Sequence, residues 1–204
     1  NYADVVKVRL VKNHTVVDAA GIPVDLNGNL NPSDDIYVSY SDFATFNDAV
    51  NEINNLSSYK KLNAYDGKNS KFYEDYEILL NGDVELKNSK GAWAGLSLPS
   101  KAGTLTIRDN AAEGSRVERT IKFNSNVTLK SNLILGSIQL NPVKTVKSVD
   151  QSYNASYTLG SYVLTYRCDT NGYKPAYIGS VSGTSKTAGL KLNATRGYVY
   201  YIPN

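Results

Sequence analysis

From Tyr76 onward apolar and polar residues alternate in runs of three to five, each cut short by Gly, Asn or Ser. The runs include Tyr76-Glu77-Ile78-Leu79-Leu80, Val84-Glu85-Leu86, Leu96-Ser97-Leu98, Leu105-Thr106-Ile107, Ile121-Lys122-Phe123, Val127-Thr128-Leu129, Leu133-Ile134-Leu135 and Ile138-Gln139-Leu140. Tyr162-Val163-Leu164 and Leu190-Lys191-Leu192 continue the pattern less regularly. A period of two predicts strands with one buried face. Between Ile121 and Leu140 four runs follow one another, joined only by short polar pieces such as Asn124-Ser125-Asn126 and Lys130-Ser131-Asn132. The hairpins of a sandwich need longer strands at spacings of about 8 to 12 residues. The pattern therefore predicts a coil, in which each run turns an apolar pair inward and an Asn in the left-handed region bends the chain toward the next face.

Ahead of the array, residues 5–10 and 15–17 read as one or two strands, and Asn27-Gly28 is a strong tight-turn dipeptide. Residues 1–35 are read as an N-terminal strand segment and connector, with a soft boundary in the polar stretch 31–35, and residues 36–204 as the strand array. One helix is predicted near residues 46–56. Thr45 is a suitable N-cap, Asp48 follows three residues later, and Phe46, Ala49, Val50, Ile53 and Leu56 share one helical face. Asn54-Asn55 and Ser57-Ser58 are expected to end it. An amphipathic helix just ahead of a stacked coil has a use, since the open end of the stack exposes core and unpaired backbone; it is read as a cap.

The fold class expected is thus all-β, a right-handed parallel β-helix, or solenoid, with a short N-terminal capping α-helix. Composition agrees: 16 Tyr and 15 Gly against 6 Pro in 204 residues suit short strands and polar turns. The single Cys168 cannot form an intramolecular disulfide, so stability must come from the core. No run of about 18 apolar residues exists to span a bilayer, and no membrane insertion is expected. Residues 1–100 hold 9 Lys/Arg against 14 Asp/Glu, a net −5, while residues 101–204 hold 13 against 5, a net +8. No tight Lys/Arg cluster with interleaved aromatics occurs, which argues against nucleic acid.

The segment from Phe43 to Leu140 resembles the right-handed β-helix repeats of large surface proteins from gut and rumen Gram-positive bacteria. The residues that carry the resemblance are Phe43-Ala44-Thr45-Phe46-Asn47-Asp48-Ala49-Val50, the runs at 76–80 and 96–107, and Asn126-Val127-Thr128-Leu129-Lys130-Ser131-Asn132-Leu133-Ile134-Leu135. What it implies is a pectate-lyase-like solenoid that is secreted or displayed on the bacterial cell surface. Such folds serve as lyases, hydrolases, tailspikes and adhesins, so the resemblance does not choose a function.

Glycoside hydrolysis needs two carboxyl groups roughly 5 to 10 Å apart across a cleft. Glu74, Asp75, Glu77, Asp83, Glu85 and Asp109 are candidates, and neighbouring coils could bring Glu77 and Glu85 together; acidic residues at solvent-facing strand positions are also ordinary surface. Residues 122–147 contain no acid, so the most regular rungs lack ligands for calcium. Arg108, Asp109, Glu113, Arg116, Glu118 and Arg119 cluster in one loop and read as an exposed salt-bridged turn. His14 is the only histidine and reads as surface in a strand-edge turn. No catalytic residue, metal site or cofactor is assigned. Trp93, in Gly91-Ala92-Trp93-Ala94-Gly95, could stack on a sugar ring or plug the end of the core. Tyr173, Tyr198 and Tyr200 belong to a tyrosine-rich last quarter that could form an outward platform, or simply supply strand residues.

The leading expectation is a non-catalytic extracellular module that binds a polysaccharide or cell-surface glycan, or acts as an adhesin, with Trp93, Tyr173, Tyr198 and Tyr200 as contact residues. The alternatives are a polysaccharide-degrading β-helix enzyme with its site on acidic loops at 66–85 and 108–119, and a structural spacer. The apolar stretch 198–204 carries no polar cap, which predicts further domains of a longer parent chain as neighbours.

Overall fold

The computed structural model describes residues 8–17, 37–63, 71–100, 103–167, 191–193 and 198–202. Its elements run β1 (Val8–Val17), β2 (Tyr37–Phe43), α1 (Phe46–Asn63), β3 (Lys71–Leu80), β4 (Val84–Glu85), β5 (Thr104–Asp109), β6 (Arg119–Phe123) and β7 (Val127–Thr128). They continue with β8 (Asn132–Gly136), β9 (Ile138–Val146), β10 (Val149–Ser152), β11 (Ser156–Thr158), β12 (Val163–Arg167), β13 (Lys191–Asn193) and β14 (Tyr198–Ile202).

The strands form a β-solenoid of about three turns. The first sheet stacks β3, β5, β8, β12 and β14 in parallel, the second β4, β6 and β9, and the third β7, β11 and β13. Apolar pairs do turn inward. In the first sheet Tyr76, Leu105, Leu133 and Leu164 form one register row and Ile78, Ile107, Leu135 and Tyr166 another, all at most 2 % exposed. Val84, Ile121 and Leu140 align in the second sheet, and Val127 lies beside Tyr157 in the third. Burying each such side chain contributes about 1.5–3 kcal/mol, and with one residue per row per coil the core is a set of like-on-like stacks.

Bending the chain at every corner leaves backbone N–H groups to be satisfied. Asx side chains meet that need from the coil before. Asp75 Oδ1 accepts the Thr104 N–H at 2.9 Å, Asp83 Oδ1 that of Thr120 at 2.9 Å, Asn126 Oδ1 that of Ser156 at 3.0 Å, and Asn132 Oδ1 that of Val163 at 3.0 Å. Every acceptor sits one residue ahead of the first inward apolar residue of its run, and every donor occupies the equivalent place one coil on. The expectation that Asn takes the left-handed bend is corrected here: among the described residues the corners between parallel strands have positive φ at Ser125 (102°), Ser137 (52°) and Gly160 (60°), and at no Asn. Ser125 is held by Tyr153, whose hydroxyl accepts the Ser125 N–H at 2.6 Å and donates to Asn124 Oδ1 at 2.9 Å.

β1 adds antiparallel to β3, and β2 to β1, extending the first sheet beyond the coils. His14 therefore lies inside a strand, opposite Tyr37 and Glu74, and not in a turn. In α1 the Thr45 hydroxyl accepts the Asp48 N–H at 3.1 Å, which is the expected N-cap. Phe46, Ala49, Val50 and Ile53 join the same buried cluster as Tyr76, Ile78 and Leu80. The helix runs past residue 56 to Asn63, because Asn and Ser in a helix interior cost under about 0.7 kcal/mol each and do not stop it.

Candidate functional site

The outer face of the second sheet carries the candidate site. Strand alternation turns Val84, Ile121 and Leu140 inward, so their neighbours face out as two cross-strand polar rows. One row is Glu85, Lys122 and Asn141; the other places Thr120 beside Gln139, with Asp83 bonded to the Thr120 N–H. With Val84 and Glu118 these residues line a groove of about 540 Å³. Gln139, only 2 % exposed, donates its amide N–H groups to Glu118 Oε2 at 3.1 Å and to the Tyr166 hydroxyl at 3.3 Å. Asn141, 5 % exposed, accepts the Ser152 hydroxyl at 2.9 Å. Asp83, Glu85 and Glu118 are exposed. No group of three His, Cys, Asp or Glu side chains among the described residues is arranged to hold a metal ion.

Three excursions of the chain surround this face. Residues 86–94 form a small hairpin in which Lys87 bridges Trp93, Asn88 Oδ1 accepts the N–H groups of Lys90 and Ala92, and Gly91 adopts φ 78°. Residues 110–118 form a loop pinned by Asp109, whose carboxylate accepts Arg119 Nε–H at 2.8 Å and the N–H groups of Ala111 and Val117. Asp109 is buried, so this cluster is not the purely exposed turn that its sequence suggests. The third excursion is the β9–β10 hairpin, closed by Lys147 (φ 49°) and Ser148 (φ 64°). The Val146 and Val149 side chains flanking that turn are exposed.

The first and third excursions meet beside the groove. Asp150 of the hairpin accepts the Thr145 hydroxyl at 2.8 Å. That bond and the neighbouring Trp93 indole, with the charges of Lys87 and Lys122, hold its carboxyl below the usual carboxylate range against an opposing effect of burial. The Lys87 ammonium lies 4.5 Å from the centre of the Trp93 ring and 3.7 Å from Glu85. Trp93 is half-buried and sits apart from the core cluster of described residues, so it does not plug the core.

The other residues singled out from sequence are placed elsewhere. Tyr198 and Tyr200 lie in β14 opposite Val163 and Thr165, in the first sheet, on a different sheet from the groove. Tyr173 and Cys168, like the Asn27-Gly28 turn, lie outside the described residues. Tyr157 and Tyr166 are core residues and Tyr153 clamps a corner, so these three form no outward platform. Glu77 is tied to Arg108 at 3.2 Å on the first sheet, and Glu85 is on the second, so stacking does not unite them. Lys122, Gln139, Asn141 and Asp150 were not singled out. Their signal was present as the polar middle residue of the runs Ile121-Lys122-Phe123 and Ile138-Gln139-Leu140, once those runs are stacked. No protein-family profile, curated protein or solved structure matches the chain.

Proposed function

We propose that the chain is a non-catalytic extracellular module, secreted or displayed on a bacterial surface, that binds a polysaccharide in the groove of the second sheet. In this reading the solenoid is a right-handed, pectate-lyase-like β-helix, and α1 closes its first coil. The observation that carries the reading is the pair of cross-strand polar rows. They hold carboxylates, amides, a hydroxyl and an ammonium in fixed register beside a half-buried indole. A sugar ring offers vicinal hydroxyls that donate and accept together, and such a ligand is recognised by a few placed polar groups with an aromatic nearby. Gln139 and Asn141 are buried and hydrogen-bonded, so part of the site is preorganised.

The gathering of Asp83, Glu85 and Glu118 in one groove favours, second, a glycan-cleaving enzyme. A general acid needs an enclosure that keeps its carboxyl protonated, whereas all three carboxylates here are exposed. Binding without cleavage is therefore the conclusion.

The test is a pull-down on insoluble cellulose, xylan, pectin, chitin and mucin, with reducing-end release measured in the same tubes. We expect binding that survives replacement of Tyr198 and Tyr200 by Ala and is lost when Lys122 and Asn141 are replaced together, with no release of ends. Release abolished by Glu118→Gln would install the enzyme reading. No binding by the folded chain would leave a structural spacer.

A further inference from the structure

Asparagine followed by a small residue is a thermally labile pairing. The backbone nitrogen of the small residue attacks the side-chain carbonyl carbon. Its proton and the side-chain –NH2 leave together as ammonia, and a succinimide ring remains. Water then opens the ring to aspartate or to isoaspartate, the latter with an extra carbon in the backbone. Two Asn-Ser pairs lie among the described residues, Asn88-Ser89 and Asn124-Ser125, and the fold holds them differently.

Asn124-Ser125 forms the corner between β6 and β7, where added backbone has no room. The Asn124 N–H donates to the Ala94 oxygen of the previous coil at 2.7 Å, and a Cβ added to Gly95 would lie 3.4 Å from the Asn124 carbonyl oxygen. An inserted carbon would press on that coil and displace Asn126, whose Oδ1 holds the Ser156 N–H. One atom engages both reacting groups. The Tyr153 hydroxyl accepts the Ser125 N–H at 2.6 Å and donates to Asn124 Oδ1 at 2.9 Å. The nucleophile's proton is thereby committed, and the electrophile cannot rotate without losing a bond. Attack needs the carbonyl carbon above the plane of the Asn124-Ser125 peptide, where the nitrogen's electrons lie. A hydroxyl bonded to the N–H instead draws the side-chain oxygen toward the in-plane side. Tyr153 delivers that hydroxyl from a fixed base: its ring packs against the core cluster and its own N–H donates to the Pro142 oxygen at 3.0 Å. Asn88 Oδ1 is also held, by the N–H groups of Lys90 and Ala92, but the Ser89 N–H has no partner among the described residues.

We propose that Tyr153 protects the Asn124-Ser125 corner from spontaneous succinimide formation. The role is independent of what the groove binds. Its benefit is durability, because the corner joins the second sheet to the third and carries the Asn126 bond to the next coil.

The experiment keeps the folded protein for weeks in warm, mildly alkaline buffer. Mass spectrometry of tryptic peptides follows the replacement of –NH2 by –OH, located by fragmentation, and the same peptides in urea give each pair's intrinsic rate. Relative to that rate, we expect Asn124 to react about tenfold more slowly than Asn88, the factor that about 1.4 kcal/mol of hydrogen bonding confers. In Tyr153→Phe, Asn124 should approach the rate of Asn88 while Asn88 is unchanged. Asn126→Ala removes a different bond of the same corner and should leave Asn124 protected, which separates the hydroxyl from general loosening. Circular dichroism checks that both variants fold, and the comparison of the two pairs within the parent needs no variant. Equal reaction of Asn88 and Asn124 in the parent overturns the proposal. So does an unchanged Asn124 rate in Tyr153→Phe, or an equal acceleration by Asn126→Ala.

Discussion

Replacing Tyr157 with Phe should make the protein more stable. Tyr157 sits in β11 between β7 and β13, is 1 % exposed, and its hydroxyl is the buried side-chain polar atom without a hydrogen-bond partner among the described residues. Burial, and secondarily the nearby Tyr153, push its phenol pKa well above the ordinary range. A hydroxyl taken from water into the core without a partner costs about 1–3 kcal/mol. Deleting it removes that cost and leaves an oxygen-sized void, worth about 0.3 kcal/mol at roughly 24 cal/mol per Å³. The net gain is about 1–2 kcal/mol, and each kcal/mol raises the melting temperature of a chain this size by about 2–4 °C. Tyr166→Phe is the matched control. There the hydroxyl accepts from the buried Gln139 amide at 3.3 Å, so the same deletion should lose about 1 kcal/mol. Urea unfolding followed by Trp93 fluorescence reads both, with the slope unchanged. Alkaline titration gives a second readout. The unfolded phenol ionises near pH 10 while the folded one stays protonated, so stability is full below about pH 10 and falls by about 1.4 kcal/mol per unit above it. Tyr76, raised mainly by burial and then by Glu52, adds a second such slope; Tyr157→Phe should remove one of the two. A Tyr157→Phe variant less stable than the parent, or a loss of the same size in both variants, would show that the hydroxyl has a partner and refute the reasoning.

Other expected outcomes follow the same geometry. The hairpin turn forces Lys147 and Ser148 to positive φ, where Asn and Gly are favoured, so Lys147→Asn with Ser148→Gly should raise the thermal midpoint, with a gain of about 1 kcal/mol. Asn126→Ala and Asn132→Ala each strand a strand-leading N–H of the next coil and should cost about 1 kcal/mol apiece in urea unfolding; Asn154→Ala, at an exposed position, should be silent. Asp150 has a lowered pKa, so its contacts are complete above the ordinary Asp value near 3.9 and are lost as pH falls through its lower folded value. The emission of Trp93, the single tryptophan, should therefore change below pH 4 and stop responding in Asp150→Asn.

The inward rows were legible because alternation in each short run sets the facing of its side chains. Tyr76, Ile78, Leu105, Ile107, Leu133 and Leu135 are buried as the pattern requires. The N-cap at Thr45 was legible for a similarly local reason. What escaped were features set by stacking. Asn124-Ser125-Asn126 reads as a bend at an Asn, yet the bend falls on Ser125 and Asn126 is the acceptor for a residue 30 positions later. The β9–β10 hairpin escaped because Val146-Lys147-Ser148-Val149 has no Gly or Asn, and the cross-strand pairing overrides local turn preference. The groove escaped because Glu85, Lys122 and Asn141 are far apart in sequence and become neighbours only when three coils are in register.

That register also explains where a site can form. In the first sheet equivalent positions recur at intervals of 29, 28, 31 and 35 residues, as at 78, 107, 135, 166 and 201. In the second they recur unevenly, at 84, 121 and 140. A stacked core tolerates added length only at its corners, because an extra residue within a strand would flip its side chains to the other face. Among the described residues the added length is taken up by 86–94, 110–118 and the 143–152 hairpin, and each flanks the second sheet. The even sheet is thereby given to packing and to the antiparallel β1–β2 extension. The uneven sheet acquires walls, a half-buried indole and polar rows that packing does not consume. Binding residues concentrate on excursions held by a rigid scaffold. The unevenness of coil length therefore points to the same face as the groove, without reference to its chemistry.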